Sequence, residues 1–265
     1  MRLGTKTDSF SLVFAALGGL VLLFIIAPLA GMVLRSSFSE LSQTAADPEV
    51  RDSVWLTLWT SMAATAILAV AGIPLAYLLA RKTFPLKELV TAVIDLPIVI
   101  PHSAAGIAIL GIVSRGTLVG DAAEGIGLQF VGGPGGIIVA MAFVSVPFLI
   151  NAARDGFAAV PERLEKAALS LGASPLGVFF TISAPLAWRS ILSGLILMWA
   201  RGLSEFGAVV VVAYHPIVTP VLIYERFGAF GLKYARPVSV VFIGVCLVFF
   251  IAMRLLARRQ NHAAR

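Results

Sequence analysis

Charge is what this sequence lacks most. Only 13% of its 265 residues are Asp, Glu, Lys or Arg, about half the share usual in a soluble domain. That leaves too little polar surface for a water-soluble protein of this size. Cysteine is nearly absent too: Cys246 stands alone, so no intrachain disulfide can form and a disulfide-stapled ectodomain is excluded. No Gly-x-x-x-x-Gly-Lys-Ser/Thr stretch occurs, so any ATP chemistry must belong to another subunit. Asp95, His102 and Glu205 lack metal-ligand spacing and nothing supplies an activated nucleophile. Neither a metal centre nor a membrane-embedded acid-base enzyme is expected, and no catalytic residue is assigned. A nucleic-acid partner is equally unsupported, because the formal charge of +6 and the pI near 9.9 come from residues scattered between apolar runs and not from one stripe.

What the chain has is apolar length. Apolar residues make up 59% of it and the mean hydropathy is +0.96. Uncharged runs at 10–34, 54–80, 96–114, 125–153, 206–224 and 237–253 are each about long enough to cross ~30 Å of hydrocarbon at ~1.5 Å per residue. The first is followed by five more and has no small-x-small cleavage pattern close behind Leu34, so it reads as a retained helix and not a signal peptide. The expectation is an all-α integral membrane protein, one transmembrane domain over residues 1–265, bathed in membrane lipid. Its six spans fall at about 11–34, 54–80, 89–113, 134–153, 189–213 and 237–257.

The basic residues give orientation. Arg2, Lys6, Arg81, Lys82, Lys87, Arg154, Arg163, Lys166, Arg189, Arg254, Arg258, Arg259 and Arg265 fall on one side, against Arg35, Arg51, Arg115, Arg226, Lys233 and Arg236 on the other. The positive-inside rule then puts both termini in the cytoplasm. Trp55 and Trp59 fall in the outer aromatic belt and Trp188 in the inner one. The outer segment 36–53 carries Glu40, Asp47, Glu49 and Asp52 and reads as a solvated surface. Gly132-Gly133-Pro134-Gly135-Gly136 reads as a sharp turn into the fourth span; a phosphate cradle would need a following Lys-Ser or Lys-Thr, which is missing. Residues 221–227 suggest a short helix at the outer face, either a gate element, a receptor contact or a plain loop helix.

The cytoplasmic stretch 154–188 is longer than a bundle turn needs. Pro161 suits a helix start, Glu162 lies at the positive end of the dipole, and Leu164, Ala167, Ala168 and Leu171 share one face. Gly172 ends that helix, Ser174 can cap a second one beginning at Pro175, and Pro185 interrupts the pattern before the fifth span. On pattern alone an interfacial amphipathic helix would account for this segment.

Two membrane segments carry polar groups. Pro97 and Pro101 break the third span near Asp95, His102 and Ser103, which hydrocarbon tolerates only beside protein or a cavity. His102 fits a hydrogen-bonded structural histidine as well as a functional one. In the fifth span Arg201 lies about 18 Å past Arg189 if the helix is continuous, near midplane, with Ser204 and Glu205 beside it. Arg201 and Glu205, spaced i, i+4, either neutralise each other or line a wet pathway.

The loop resembles that of permease subunits of ATP-binding cassette importers, whose hallmark is Glu-Ala-Ala, three residues, Gly, nine residues, Ile-x-Leu-Pro. Ala167, Ala168, Gly172, Ile182 and Pro185 match; Lys166 replaces the motif acid, with Glu165 one residue earlier, and Ala184 replaces Leu. The runs 95–106 and 199–211 look like those of molybdate and tungstate permeases, with sulfate permeases sharing much of the pattern. The resemblance implies a type I ABC importer permease fold with a cytoplasmic coupling helix, in which Leu164, Glu165, Ala167, Ala168, Leu171, Gly172 and Pro185 dock on the ATPase. It implies a homodimer in a prokaryotic plasma (inner) membrane with two ATPase subunits, which bind the ATP and Mg, and an extracytoplasmic solute-binding protein. Asp95, Pro97, Pro101, His102, Ser103, Arg201, Ser204 and Glu205 are then the candidate pathway, their charges nearly cancelling. Sulfate, phosphate or another small anion is the rival cargo, and an ion channel the rival class.

Overall fold

The computed structural model describes residues 9–259, so Arg2, Lys6, Arg265 and the chain termini lie outside the described residues. Those residues form helices and no strand. Helix α1 (Ser9–Leu34) is apolar all round, and from Phe10 to Leu34 none of its side chains is buried, as expected of a span that faces lipid. Helix α2 (Phe38–Ala46) follows, then α3 (Pro48–Arg81), α4 (Lys87–Val99), α5 (His102–Val113) and α6 (Leu118–Gly125). Next come α7 (Pro134–Ala159), α8 (Glu162–Ser170), α9 (Pro175–Val178), α10 (Ala184–Leu203), α11 (Gly207–Val212), α12 (Thr219–Phe230) and α13 (Leu232–Arg259).

The core is α7 packed between α3 and α10. Close approach rests on small residues: a methyl group added at Gly194 of α10 would stand 3.0 Å from Ala152 Cβ and 3.1 Å from Leu149 O of α7. A seam of hydroxyls runs down the buried face of α3. Thr57, Thr60 and Thr65 donate to the carbonyls of Ser53, Leu56 and Ser61 at 2.6, 2.6 and 2.8 Å, so no polar side chain there is left unpaired in the bundle. Thr57 Oγ1 also accepts from the Thr219 amide at 2.9 Å, satisfying an orphan donor in the first turn of α12.

Five helices are long and apolar enough to cross a membrane, and a sixth crossing is made only by joining α4 and α5, whose axes turn through 114°. The third span is therefore two half-helices with an elbow at Ile100–Pro101. Ile100 is extended (φ −70°, ψ 147°), as residues before proline prefer, and Pro101 has no N–H with which to continue α4.

The fifth span departs from expectation at both ends. Pro185 does not interrupt it: α9 runs through a π-helical turn, Phe179–Ser183, straight into α10, where proline occupies the first turn. In that turn the Ala184 N–H reaches back to Phe179 O, and this wider register supplies the slack that lets proline enter. The span instead breaks at Ser204–Phe206, so 189–213 is not one helix; α10 stops at Leu203 and α11 restarts at Gly207.

The acidic segment 36–53 is more than a solvated surface. Ser37 and Glu40 form a capping box at the start of α2, and Asp47 caps α3 by accepting from the Glu49 N–H at 3.0 Å. Arg226 of α12 then places Nη2 2.7 Å from Asp47 and 2.6 Å from Glu49, while Arg236 of α13 lies 3.8 Å from Glu40. The hydrogen bond from Arg226 holds the Asp47 carboxyl below its ordinary value against the opposing effect of burial. A depressed carboxyl stabilises the fold above its unfolded value of about 3.9 and loses that contribution as pH falls through the folded value. Asp47→Asn keeps a capping side chain and removes the charge, so it should cost about 1 kcal/mol or less at pH 7 and a smaller amount at pH 3. Thermal melts in detergent at the two pH values would check this, and an equal loss at pH 3 would contradict it.

Candidate functional site

Both breaks in the helices meet at one place. Gly207, where α11 restarts, faces the start of α5 so closely that an added methyl would lie 2.8 Å from His102 Cβ. This contact brings His102 to Arg201 and Glu205. Arg201 Nη2 is 2.9 Å from Glu205 Oε2, and 3.0 and 2.9 Å from the two ring nitrogens of His102. His102 Nδ1 lies 3.1 Å from the same carboxylate oxygen. Arginine can only donate, so the arrangement suits an imidazole that donates from Nδ1 to Glu205 and offers its Nε2 lone pair to Arg201. The second oxygen of Glu205 accepts the Ala208 N–H at 2.8 Å, which caps α11. Arg201 Nη1 donates to Ser204 Oγ at 3.2 Å.

Arg201 and Glu205 thus pair, but across a helix break and not along one helix face. Glu205 is fully buried, whereas the side chains of Arg201 and His102 are 21% and 34% exposed and Ser204 is exposed. Asp95 does not join them. It accepts from Asn151 Nδ2 of α7 at 2.6 Å, so of these three charges Arg201 and Glu205 pair directly and Asp95 has its own partner. Pro97 is buried, Pro101 precedes the first turn of α5, and Ser103 is exposed beside His102. Asn151 was invisible to sequence reasoning because a lone amide in an apolar run carries no spacing signal.

The second constellation lies at the end of the bundle where α3 and α7 finish. Helix α8 closes in a Schellman turn: Gly172 adopts φ +89°, its N–H reaches Leu169 O at 3.0 Å, and Ala173 N–H reaches Ala168 O at 3.1 Å. Ser174 then caps α9 by accepting from the Gly177 N–H at 3.1 Å. Leu164, Ala167, Leu171 and Gly172 are exposed, Leu171 to 89%, and Pro185 is exposed as well, while Ala168 is half-buried. Lys166, at the position of the family's motif acid, pairs with Glu162 on its own helix at 2.9 Å.

Glu165 points the other way. Its carboxylate takes Arg81 Nε at 3.0 Å and Nη2 at 2.8 Å and Ser183 Oγ at 2.7 Å, and Arg81 Nη2 also donates to Val160 O at 2.9 Å. Burial pushes this carboxyl up, but the hydrogen bonds from Arg81 and Ser183 outweigh it and hold the group below the ordinary glutamate range. Its place on a docking face is therefore corrected: Glu165 fastens α8 to α3 and to the π-helical turn. Among the described residues no group of three or more His, Cys, Asp or Glu is placed to hold a metal ion.

Residues 72–262 match the family described as "Binding-protein-dependent transport system inner membrane component". The molybdate/tungstate transport system permease protein of Pyrococcus abyssi is 45% identical over 92% of this chain and 94% of its own length. The protein of the same description from Thermococcus kodakarensis is 44% identical over 97% of this chain and 99% of its own. A probable sulfate transport system permease protein of Chlorokybus atmophyticus is 31% identical over 88% and 84%. Among solved structures, a bacterial ABC transporter that imports the acidic polysaccharide alginate superposes with a TM-score of 0.72 at 18% identity, over 94% of this chain and 95% of that one, a likeness of fold. With similarity of this extent in a chain whose own helices can cross a membrane several times, the protein belongs to the binding-protein-dependent transport system inner membrane components, the non-catalytic, multi-pass permeases of ABC importers.

Proposed function

We propose that this chain forms the translocation path of an ATP-driven importer of molybdate and tungstate. Two copies pair in a prokaryotic plasma (inner) membrane with both termini in the cytoplasm. Each docks the loop 154–188, as its coupling helix, on one of two ATPase subunits that bind the ATP and Mg. An extracytoplasmic solute-binding protein delivers the oxyanion. ATP binding closes the motor, moves the coupling helices and opens the path outward, and hydrolysis resets it.

The observation that carries this reading is the geometry of α8. One exposed stripe of it carries Leu164 and Ala167 and leads to Leu171 and the positive-φ Gly172, with the exposed Glu162–Lys166 pair to the side, while Glu165 ties the hidden face to the end of α3. An apolar face left open on one side and fixed on the other suits a rigid element that passes displacement between subunits. The choice of cargo rests on the archaeal relatives, whose identity exceeds that of the sulfate permease over a larger share of both chains.

Reconstitution with the ATPase and binding protein in proteoliposomes should give ATP-dependent uptake of molybdate and tungstate, with sulfate at about a tenth of that rate or less. The purified chain alone should show no saturable ATP binding. Preferred uptake of sulfate, ATP binding by the chain itself, or ion current through a bilayer that contains only this chain would each overturn the reading.

A further inference from the structure

We infer that Arg201, flanked by Ser204 and His102, is the group that touches the transported oxyanion inside the membrane, and that Glu205 keeps this contact weak. The inference rests on the oxyanion cargo proposed above and adds the residue-level contact. It starts from an asymmetry. A pair that only neutralises itself has no use for one open partner, because exposure of either side screens the attraction. Here the anion is hidden and the cation is open: Glu205 is 0% exposed and held by both Arg201 and the Ala208 N–H, whereas Arg201 is 21% exposed and has exposed Ser204 beside it. Of the five guanidinium donors, those on Nη2 serve Glu205 and His102 and one on Nη1 serves Ser204, while Nε makes no hydrogen bond among the described residues. The Nε–H and one Nη1–H remain, on different edges of the guanidinium, and Ser204 Oγ gives its own proton to Arg201 O at 3.0 Å, so the group meets a tetrahedral dianion as a fixed positive charge with single hydrogen bonds.

Location supports the same assignment. The group lies where two discontinuous helices abut, with α4 ending just before α5 and α10 just before α11, and broken backbone persists in hydrocarbon only where it is buried in protein or lines a wet cavity. An Arg201 without a partner would hold a dianion too tightly for transport, because a conducting site must release what it binds. Glu205 offsets that single positive charge from behind, fixes the guanidinium in place and stays out of the cargo's reach.

The test uses the whole complex of permease, ATPase and binding protein in proteoliposomes, read as molybdate taken up per ATP hydrolysed. Arg201→Met combined with Glu205→Gln removes the charges together, so neither partner is left unpaired. Uptake per ATP should fall about tenfold or more with the complex still assembled, and Arg201→Lys, which keeps the charge but loses the planar guanidinium held by Glu205, His102 and Ser204, should fall about threefold or more. A purely structural pair would lower assembly and ATP hydrolysis along with uptake and leave their ratio at the wild-type value, and that result overturns the inference. If the double variant fails to assemble, Arg201→Lys decides: a reduced ratio supports the contact, a wild-type ratio removes it. A wild-type complex that imports no oxyanion would count against the proposed function and not against this residue alone.

Discussion

Replacing Glu165 with glutamine should lower binding-protein-dependent uptake by about a hundredfold or more and destabilise the chain by about 3–5 kcal/mol, the usual cost of leaving one member of a buried ion pair alone. The side chains of Arg81 and Glu165 are 8% and 9% exposed. They join the end of α3, the helix α8 and the π-helical turn before α10 through five hydrogen bonds centred on one carboxylate, the fifth from Tyr77 of α3. Loss of the negative charge strands the guanidinium and frees α8 to move without pulling α3. The double change Arg81→Met with Glu165→Gln should recover most of the melting temperature, because no charge is then stranded, yet leave uptake low, because the link is still cut. Since the Glu165 carboxyl lies below its ordinary value, its contribution is fully present above the unfolded value of about 4.3 and is lost only as pH falls through the lower folded value. Uptake between pH 5 and 8 should therefore owe none of its variation to this group. Melting curves and uptake measured on the same preparations decide the matter, and wild-type values for Glu165→Gln in both would remove the link.

Gly172→Val should leave membrane insertion intact and abolish the association with the ATPase or the coupling of hydrolysis to uptake. Within the chain itself the added side chain meets nothing: an ideal methyl at Gly172 has no atom within 4 Å. The intramolecular cost is then backbone strain alone, about 1–2 kcal/mol for a β-branched residue at φ +89°. The larger penalty falls on the partner, since the glycine sits between exposed Leu171 and Ala173 on the surface proposed to dock. Valine at Gly231, also at positive φ (+77°, with ψ −174°, a region open almost only to glycine) with nothing within 4 Å but outside the 154–188 loop, pays at least as much strain without the docking clash and serves as the control. Uptake should be lower for Gly172→Val than for Gly231→Val, and with it either pull-down of the ATPase or uptake per ATP hydrolysed. Equal values for the two would mean that the elbow is not a docking element.

A bundle of five or six apolar spans, the glycine elbow and the proline break at Pro101 were legible in the residues because each depends on local chemistry. About twenty apolar residues in a row have no low-energy state in water, a positive φ selects glycine, and proline lacks an N–H wherever it stands. The polar residues of the candidate site were legible as types, since ionisable groups in an apolar run are costly enough to need a reason.

Their partners were not. Only the tertiary structure placed His102 on the Arg201–Glu205 pair, gave Asp95 to Asn151, turned Glu165 inward onto Arg81 and Ser183, and set Arg226 between Asp47 and Glu49. These contacts join residues up to 179 positions apart along the chain, so they depend on which helix faces meet. The π-helical turn likewise overrode the reading of Pro185 as an interruption, because packing of Ser183 and Ala187 in the bundle holds a continuous helix across a residue that by itself favours a break. Local energies chose the elements of this protein, and long-range packing chose which of its few charges would face one another.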